Sequence, residues 1–440
     1  MRDFLKDIEY KVLVHDGSKG YMLQKLGLNG GECGELWNIT NRDAVREIYR
    51  SYISAGADVI QTNTFTGSRA HLHKYSLDDK VYEINYQGAK LAREVAGDNI
   101  YVCASIGPTG MLFEPSGELS FEMAYDIYKE QVKAVTDGGA DIINFETFTD
   151  LAEMRAALLA AKESTNLPVI CSMAFENSGR TLMGSDPFVV AAVLKSLGAD
   201  MVGSNCSFGA ENMLGIAKNM YEAGAGYLSI KPNAGLPEVK DGCVTYKENA
   251  GNFALVCRRF IDYGARLIGG CCGTTPEFIT ALKKSLQGAD PAPIKPLKGG
   301  IITSNVKHIN ADSIDWNNVG IFDADKDLEL AEALRRNDLS YVEDMALDIA
   351  SEGYDAVYVS IGGVNSDLLM LSRVVDKIQW YVREPLIIAA PGEQSLEAAL
   401  RLYRGIAGVL IRKASESLKG ISHIVSKYGG VMIDADKLIN

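Results

Sequence analysis

Leu267-Ile268-Gly269-Gly270-Cys271-Cys272-Gly273-Thr274-Thr275-Pro276 decides how this chain is read. An apolar run enters it, two adjacent cysteines sit in a glycine frame, and the helix-start signal Thr-Thr-Pro-Glu follows. The pattern is that of a strand ending in thiols and handing over to a helix. Neighbouring cysteines do not readily bond to each other, because the small ring strains disulfide geometry. They can share one metal ion if an irregular turn aims both thiolates the same way, and a zinc ion then needs further ligands. The candidate third ligand is Cys206, in Val202-Gly203-Ser204-Asn205-Cys206-Ser207, again at the end of an apolar run. The competing reading makes Cys206 an ordinary core cysteine and the pair an accident of a tight turn.

Working outward from this stretch, the strand–helix unit recurs. Strands are read at residues 12–17, 58–65, 100–106, 141–147, 169–175, 201–207, 227–233 and 266–271, with helical spacing between them. Gly-Ala-Asp recurs before strands at 56–58, 139–141 and 198–200, which points to a repeated helix-to-strand turn. Such alternation matches a (β/α)8 TIM barrel in number of units and in size. Active sites of that fold lie at the C-terminal strand ends. Asp16, Asn63, Glu146, Cys206, Asn233, Cys271 and Cys272 all fall there, so Cys206 and the cysteine pair can meet over the barrel mouth. Three thiolates on zinc leave a position open, the mark of a catalytic site. Such a centre suits the deprotonation of a substrate thiol and alkyl transfer to sulfur.

A proline- and glycine-rich run, Gly288-Ala289-Asp290-Pro291-Ala292-Pro293-Ile294-Lys295-Pro296-Leu297-Lys298-Gly299-Gly300, marks the clearest boundary. The chain is read as a barrel at 1–288, a linker at 289–312 and a smaller α/β unit at 313–440, a half-barrel or open sheet. His308 and His423 in that last unit have no partner by spacing and are read as surface or satisfied polar residues.

Composition narrows the function classes. The formal charge of −13 and the absence of basic runs argue against nucleic-acid binding. No uninterrupted apolar stretch is long enough to span a membrane. The N-terminus carries no apolar signal core, which gives a cytoplasmic expectation. Eight cysteines in so long a chain are not a disulfide scaffold in that compartment. Cys33, Cys103, Cys171, Cys243 and Cys257 are read as single buried or loop residues.

Gly269-Gly270-Cys271-Cys272-Gly273-Thr274 together with Gly203-Ser204-Asn205-Cys206 resembles the zinc signature of the homocysteine S-methyltransferase family. Asp16-Gly17, Thr62-Asn63-Thr64-Phe65, Ile106-Gly107-Pro108-Thr109-Gly110, Phe145-Glu146-Thr147 and Lys231-Pro232-Asn233-Ala234-Gly235 carry the same likeness. It spans about residues 8–287 and is most similar to the homocysteine-binding module of cobalamin-dependent methionine synthases. The resemblance implies a zinc ion on Cys206, Cys271 and Cys272 and a homocysteine thiolate that takes a methyl group to give methionine. It further implies that Glu146 holds the substrate amino group, that Asp16 and Gly17 seat the amino-acid end, that Asn63 belongs to the substrate site, and that Asn233 sits near the metal. The competing reading of Glu146 is a carboxylate capping the next helix. One departure stands out: the turn Asp16-Gly17-Ser18-Lys19-Gly20-Tyr21 has Tyr21 where the family has threonine.

Through residues 354–362, 385–400 and Tyr403-Arg404-Gly405, the C-terminal part resembles the first half of the pterin-binding barrel that follows this module, in truncated and degenerate form. Phe322-Asp323-Ala324-Asp325, Tyr358-Val359-Ser360 and Ala389-Ala390 replace the polar pterin contacts. Without them a buried pterin would leave its polar edges unpaired, so no folate chemistry is expected. A docking or homodimerisation role is expected instead. No Asp-X-His-X-X-Gly corrinoid motif occurs in the chain, so the expected donor is methylcobalamin on a carrier protein acting in trans. The alternatives are a sulfonium (S-methylmethionine-type) or betaine donor, or a non-catalytic zinc-binding subunit of a corrinoid methyl-transfer complex.

Overall fold

A computed structural model of the protein describes residues 3–240, 243–297, 299–364, 367–411 and 418–435. The Cys243 side chain lies outside the described residues. The chain divides into two compact units, Met1–Met183 with Ala199–Leu297, and Gly184–Gly198 with Lys298–Asn440.

The first unit holds eight parallel strands: β1 (Leu13–Val14), β2 (Val59–Gln61), β3 (Tyr101–Ile106), β4 (Ile142–Phe148), β5 (Val169–Met173), β6 (Met201–Gly209), β7 (Leu228–Asn233) and β8 (Ala265–Ile268). Their order is β1-β8-β7-β6-β5-β4-β3-β2, and a parallel bridge between His15 and Val59 joins the two ends of the sheet. This is the expected barrel. The Gly-Ala-Asp repeat has a physical explanation. Gly56, Gly139 and Gly198 take left-handed φ values of 99°, 98° and 88° and end their helices. Each following aspartate then accepts a backbone N–H of a neighbouring strand: Val14 N to Asp58 at 2.9 Å, Val102 N to Asp141 at 2.8 Å and Val169 N to Asp200 at 2.8 Å.

The barrel floor is apolar. Leu13, Val59, Tyr101, Ile142, Ile170, Met201 and Leu267 form one cluster, closed from below by Phe4 and Ile8 of the helix Phe4–Tyr10. Period-2 alternation carries each strand from this floor to polar residues at its far end. Residues 289–297 are fastened to the first unit by Tyr221 Oη to Pro293 O at 3.2 Å and by the Lys295–Glu222 ion pair at 2.7 Å.

Several elements go beyond the sequence reading. Among them are the floor helix, the helix Lys19–Lys25, the helix Leu328–Arg335, an antiparallel hairpin of Pro237–Lys240 with Cys243–Tyr246, and another of Ile301–Thr303 with His308–Asn310 inside the stretch read as linker. β1 is shorter than expected because His15 and Asp16 leave the regular ladder, giving their N–H groups to Ile268 O at 2.9 Å and Val59 O at 3.0 Å.

The second unit carries a parallel sheet of β9 (Val319–Asp323), β10 (Ala356–Ser360), β11 (Leu386–Ala389), β12 (Gly408–Ile411) and β13 (Val431–Asp434), in sequential order. Right-handed crossovers that always step the same way place the connecting helices on one face. On the other face Val319, Ala356, Ile387 and Ile433 pack with Ile302, Ala311 and Ile314. The helix Pro187–Ser196, read as a barrel helix, groups with this unit, where Phe188 stacks on the His308 ring at 4.2 Å.

Candidate metal centre and adjoining cavity

The barrel brings the three cysteines together. The ligand atoms of Cys206, Cys271 and Cys272 all lie within 4.8 Å of one another, and the Cys206 and Cys272 sulfurs are 3.2 Å apart. Cys206 has a left-handed φ of 53°, rare for a side chain with a Cβ. It sits where the β6–β7 register breaks between Asn205 and Gly209. The bulge turns its thiol toward the β8 end instead of continuing the ladder.

The cysteine pair is held by its glycine frame. Cys271 N donates to Pro232 O at 2.7 Å, Cys272 N to Asn233 Oδ1 at 3.1 Å, and Thr274 Oγ1 to Cys271 O at 2.6 Å. Gly273 has a φ of 78° and faces the Tyr246 ring so closely that an added Cβ would overlap it. The Tyr246 hydroxyl also hydrogen-bonds the Cys272 sulfur. Hydrogen bonds from Cys206 and Cys271, and then from Tyr246, hold the Cys272 thiol well below the usual range. Hydrogen bonding to Cys271 and Cys272, with burial, pushes the Cys206 thiol far up. A soft three-sulfur donor set converging from two strand ends fits a zinc ion.

A cavity of about 480 Å³ opens beside the sulfurs. Cys206, Cys271 and Cys272 line it, together with Gly17, Asn63 and Glu146. Glu146, at the end of β4, is 3% exposed. Its carboxylate accepts from Gln61 Nε2, Ser105 Oγ and Lys231 Nζ, and from Asn205 Nδ2 at 3.4 Å. Burial acts to lower the Lys231 pKa, but the charges of Glu146 and Cys271 outweigh it and hold the ammonium above the ordinary lysine range.

Asp16 is fully buried and is not among the cavity-lining residues. It accepts from Gln61 N at 2.9 Å and pairs with Lys19, which does face the cavity. Burial acts to raise the Asp16 pKa, yet the Lys19 charge and the His15 hydrogen bond bring it below the usual carboxylate range. An added Cβ at Gly17 would lie 2.8 Å from Thr274 O, so this turn packs directly on the cysteine turn. Asn63 fastens the wall, donating to Gly34 O at 2.9 Å and to Asn38 Oδ1 at 3.0 Å. Asn233 does not line the cavity; its side-chain oxygen serves the Cys272 backbone.

Lys19, Lys231, Gln61, Asn205 and Tyr246 were not singled out from sequence. Lys231 had a legible signal, since it lies two residues from both Ser229 and Asn233 and therefore shares their inward face. Tyr246 had none, because it belongs to the hairpin inserted after β7.

The family model for homocysteine S-methyltransferase matches residues 13–286. Methionine synthase of Mycobacterium leprae is 33% identical over 297 residues, covering 63% of this chain and 24% of that protein. Methionine synthase of Mycobacterium tuberculosis is 33% identical over the same length, covering 63% and 25%. The chain thus spans about a quarter of the length of these curated relatives. The crystal structure of the metallated homocysteine methyltransferase MmuM from Escherichia coli has a TM-score of 0.53 at 24% identity, covering 62% of this chain and 96% of that one. Its oxidized form also has a TM-score of 0.53 at 24% identity, covering 62% and 95%. These structures share the barrel. Among the described residues no helix is long and apolar enough to cross a membrane. With the model matching from β1 through the helix after β8, and the three-cysteine cluster inside the match, the chain belongs to the homocysteine S-methyltransferase family.

Proposed function

We propose that the barrel transfers a methyl group to the thiol of homocysteine, forming methionine, with Cys206, Cys271 and Cys272 as the ligands of a zinc ion. The observation that carries this reading is the convergence of three sulfurs within 4.8 Å on the wall of a cavity sized for a small molecule. Zinc held by three thiolates acidifies an incoming thiol and keeps it nucleophilic at neutral pH. Around it this chain's residues position the thiols. Asn233 fixes the backbone of Cys272, and Asn205 Nδ2 approaches Cys271 Sγ at 3.7 Å. Tyr246, edge-on to Tyr21 with ring centroids 6.1 Å apart, packs against Gly273 beside the thiols. Glu146, ion-paired to Lys231, fixes the β4 and β7 sides of the cavity wall.

The donor is assigned as a methylated corrinoid carried by a separate protein, following the sequence resemblance. The deciding experiment is demethylation of methylcobalamin by zinc-loaded protein with homocysteine, followed by absorbance and by methionine analysis. Loss of the methylcobalamin spectrum with methionine appearing supports the assignment. No change, with zinc confirmed bound, moves the donor to a sulfonium or betaine compound or makes the native carrier protein a requirement. The second unit, whose edge strands β9 and β13 each pair on one side among the described residues, is assigned a dimerising role. Light scattering should give twice the 47.7 kDa chain mass; a monomer at micromolar concentration rejects that role.

A further inference from the structure

We propose that Lys19 receives the carboxylate of the acceptor, so that the site selects thiol carboxylates and gives the α-ammonium a secondary part. This deepens the acceptor reading above and rests on it. Glu146 was expected to hold the substrate ammonium and Asp16 to seat the amino-acid end, and the chain neutralises both carboxylates from within. Glu146 is ion-paired to the buried Lys231 and takes three further hydrogen bonds. Asp16 is ion-paired to Lys19 and sealed from the cavity. Glu35, the remaining carboxylate of the cavity wall, already accepts Thr66 N at 2.9 Å through Oε1.

Lys19 is placed for the opposite task. Its ammonium has three protons, and Asp16 Oδ2 is its one hydrogen-bond acceptor among the described residues. Its Nζ lies over the Tyr52 ring at 5.0 Å from the centroid. The Tyr52 hydroxyl is 2.9 Å from both Ser18 O and Thr274 O, so the platform is locked. The turn bearing Lys19 is bonded to the turn bearing the thiols: Gly270 N to Asp16 O at 3.1 Å and Ser18 N to Thr274 O at 3.1 Å. A cation and a sulfur cluster are thereby held in fixed relation across one cavity, as a short ligand with a thiol at one end and a carboxylate at the other requires. Asp16 orients the cation rather than meeting the ligand. A charge-assisted hydrogen bond of this kind changes affinity by about 10- to 100-fold.

The test is calorimetric binding of homocysteine, 4-mercaptobutanoate (no amine) and 3-mercaptopropylamine (no carboxylate) to the zinc-loaded full chain. For the unaltered protein, 4-mercaptobutanoate should bind within about 5-fold of homocysteine and the amine about 100-fold more weakly. Lys19→Met should weaken both carboxylates about 30-fold and leave the amine unmoved, while Lys19→Arg retains most of the affinity. The amine binding as tightly as homocysteine overturns the proposal, as does Lys19→Met leaving 4-mercaptobutanoate unchanged; the first comparison needs no variant to fold. Methionine formation is scored separately. Lys19-dependent binding with no methionine formed from a methylcorrinoid, a sulfonium or a betaine donor would sink the acceptor reading alone. Methionine formed with an unaltered KM by Lys19→Met would sink the Lys19 assignment alone.

Discussion

Cys206 keeps a φ of 53° that most side chains avoid, and such strain persists where the surroundings over-determine it. Cys272→Ala should lower zinc content, read by metal analysis, and take methionine formation down at least about 100-fold with it; a variant that turns over without zinc would reject the metal reading. Lys231→Met leaves Glu146 buried without its ion pair. It should cost about 3–5 kcal/mol in denaturant melts, with the double change Lys231→Met, Glu146→Gln recovering part of the loss. Asp16 gives a pH signature. Its folded pKa is depressed, so its contribution is complete above an unfolded value of about 3.9 and is lost as pH falls below it. Lys19→Met should shrink that acid limb, read in melts taken as the pH falls below about 4. At this scale the sequence named the three cysteines and Glu146, because chemistry-bearing residues at strand ends stand out. It did not show that lysines neutralise the acids, since an ion pair spanning β4 and β7 is a matter of folded distance.

Elements were legible where local rules and tertiary packing agree. The long amphipathic helices and the strands from apolar floor to polar mouth fall within a few residues of expectation, and Gly-Ala-Asp marks turns whose hydrogen bonds now explain it. The hairpins and the short helix Lys19–Lys25 were not read, because they are defined by what they pack on and not by a period. Gly203 shows how tightly the strands fit: an added Cβ would overlap Ser229 O on β7 and lie 2.9 Å from Ser172 Oγ on β5. Gly203→Ala should therefore lower stability by about 3 kcal/mol in denaturant titrations, and a neutral result would mean that β6 and β7 are freer to part than the register implies.

For the molecule as a whole, the barrel followed from counting strand–helix units, and the five-stranded second sheet from the same count. The grouping of helix Pro187–Ser196 with the second unit leaves no trace in composition or period. The closure of the barrel has a consequence of its own. Seven joints between strands are paired ladders, three of them with a register shift, while the eighth, from β1 to β2, rests on the His15–Val59 bridge, a few backbone bonds and the side chains of Asp16 and Asp58. Local opening starts where the fewest bonds must break together, so this seam is where the cylinder should breathe. Amides of residues 14–16 and 58–61 should exchange with solvent faster than those of β4 to β6 in the free protein. The seam leads straight into the turn that carries Lys19, so an occupant gripping that turn would act as a stitch, and its arrival should be recorded as slowed exchange on β1 and β2 before any methyl group has moved.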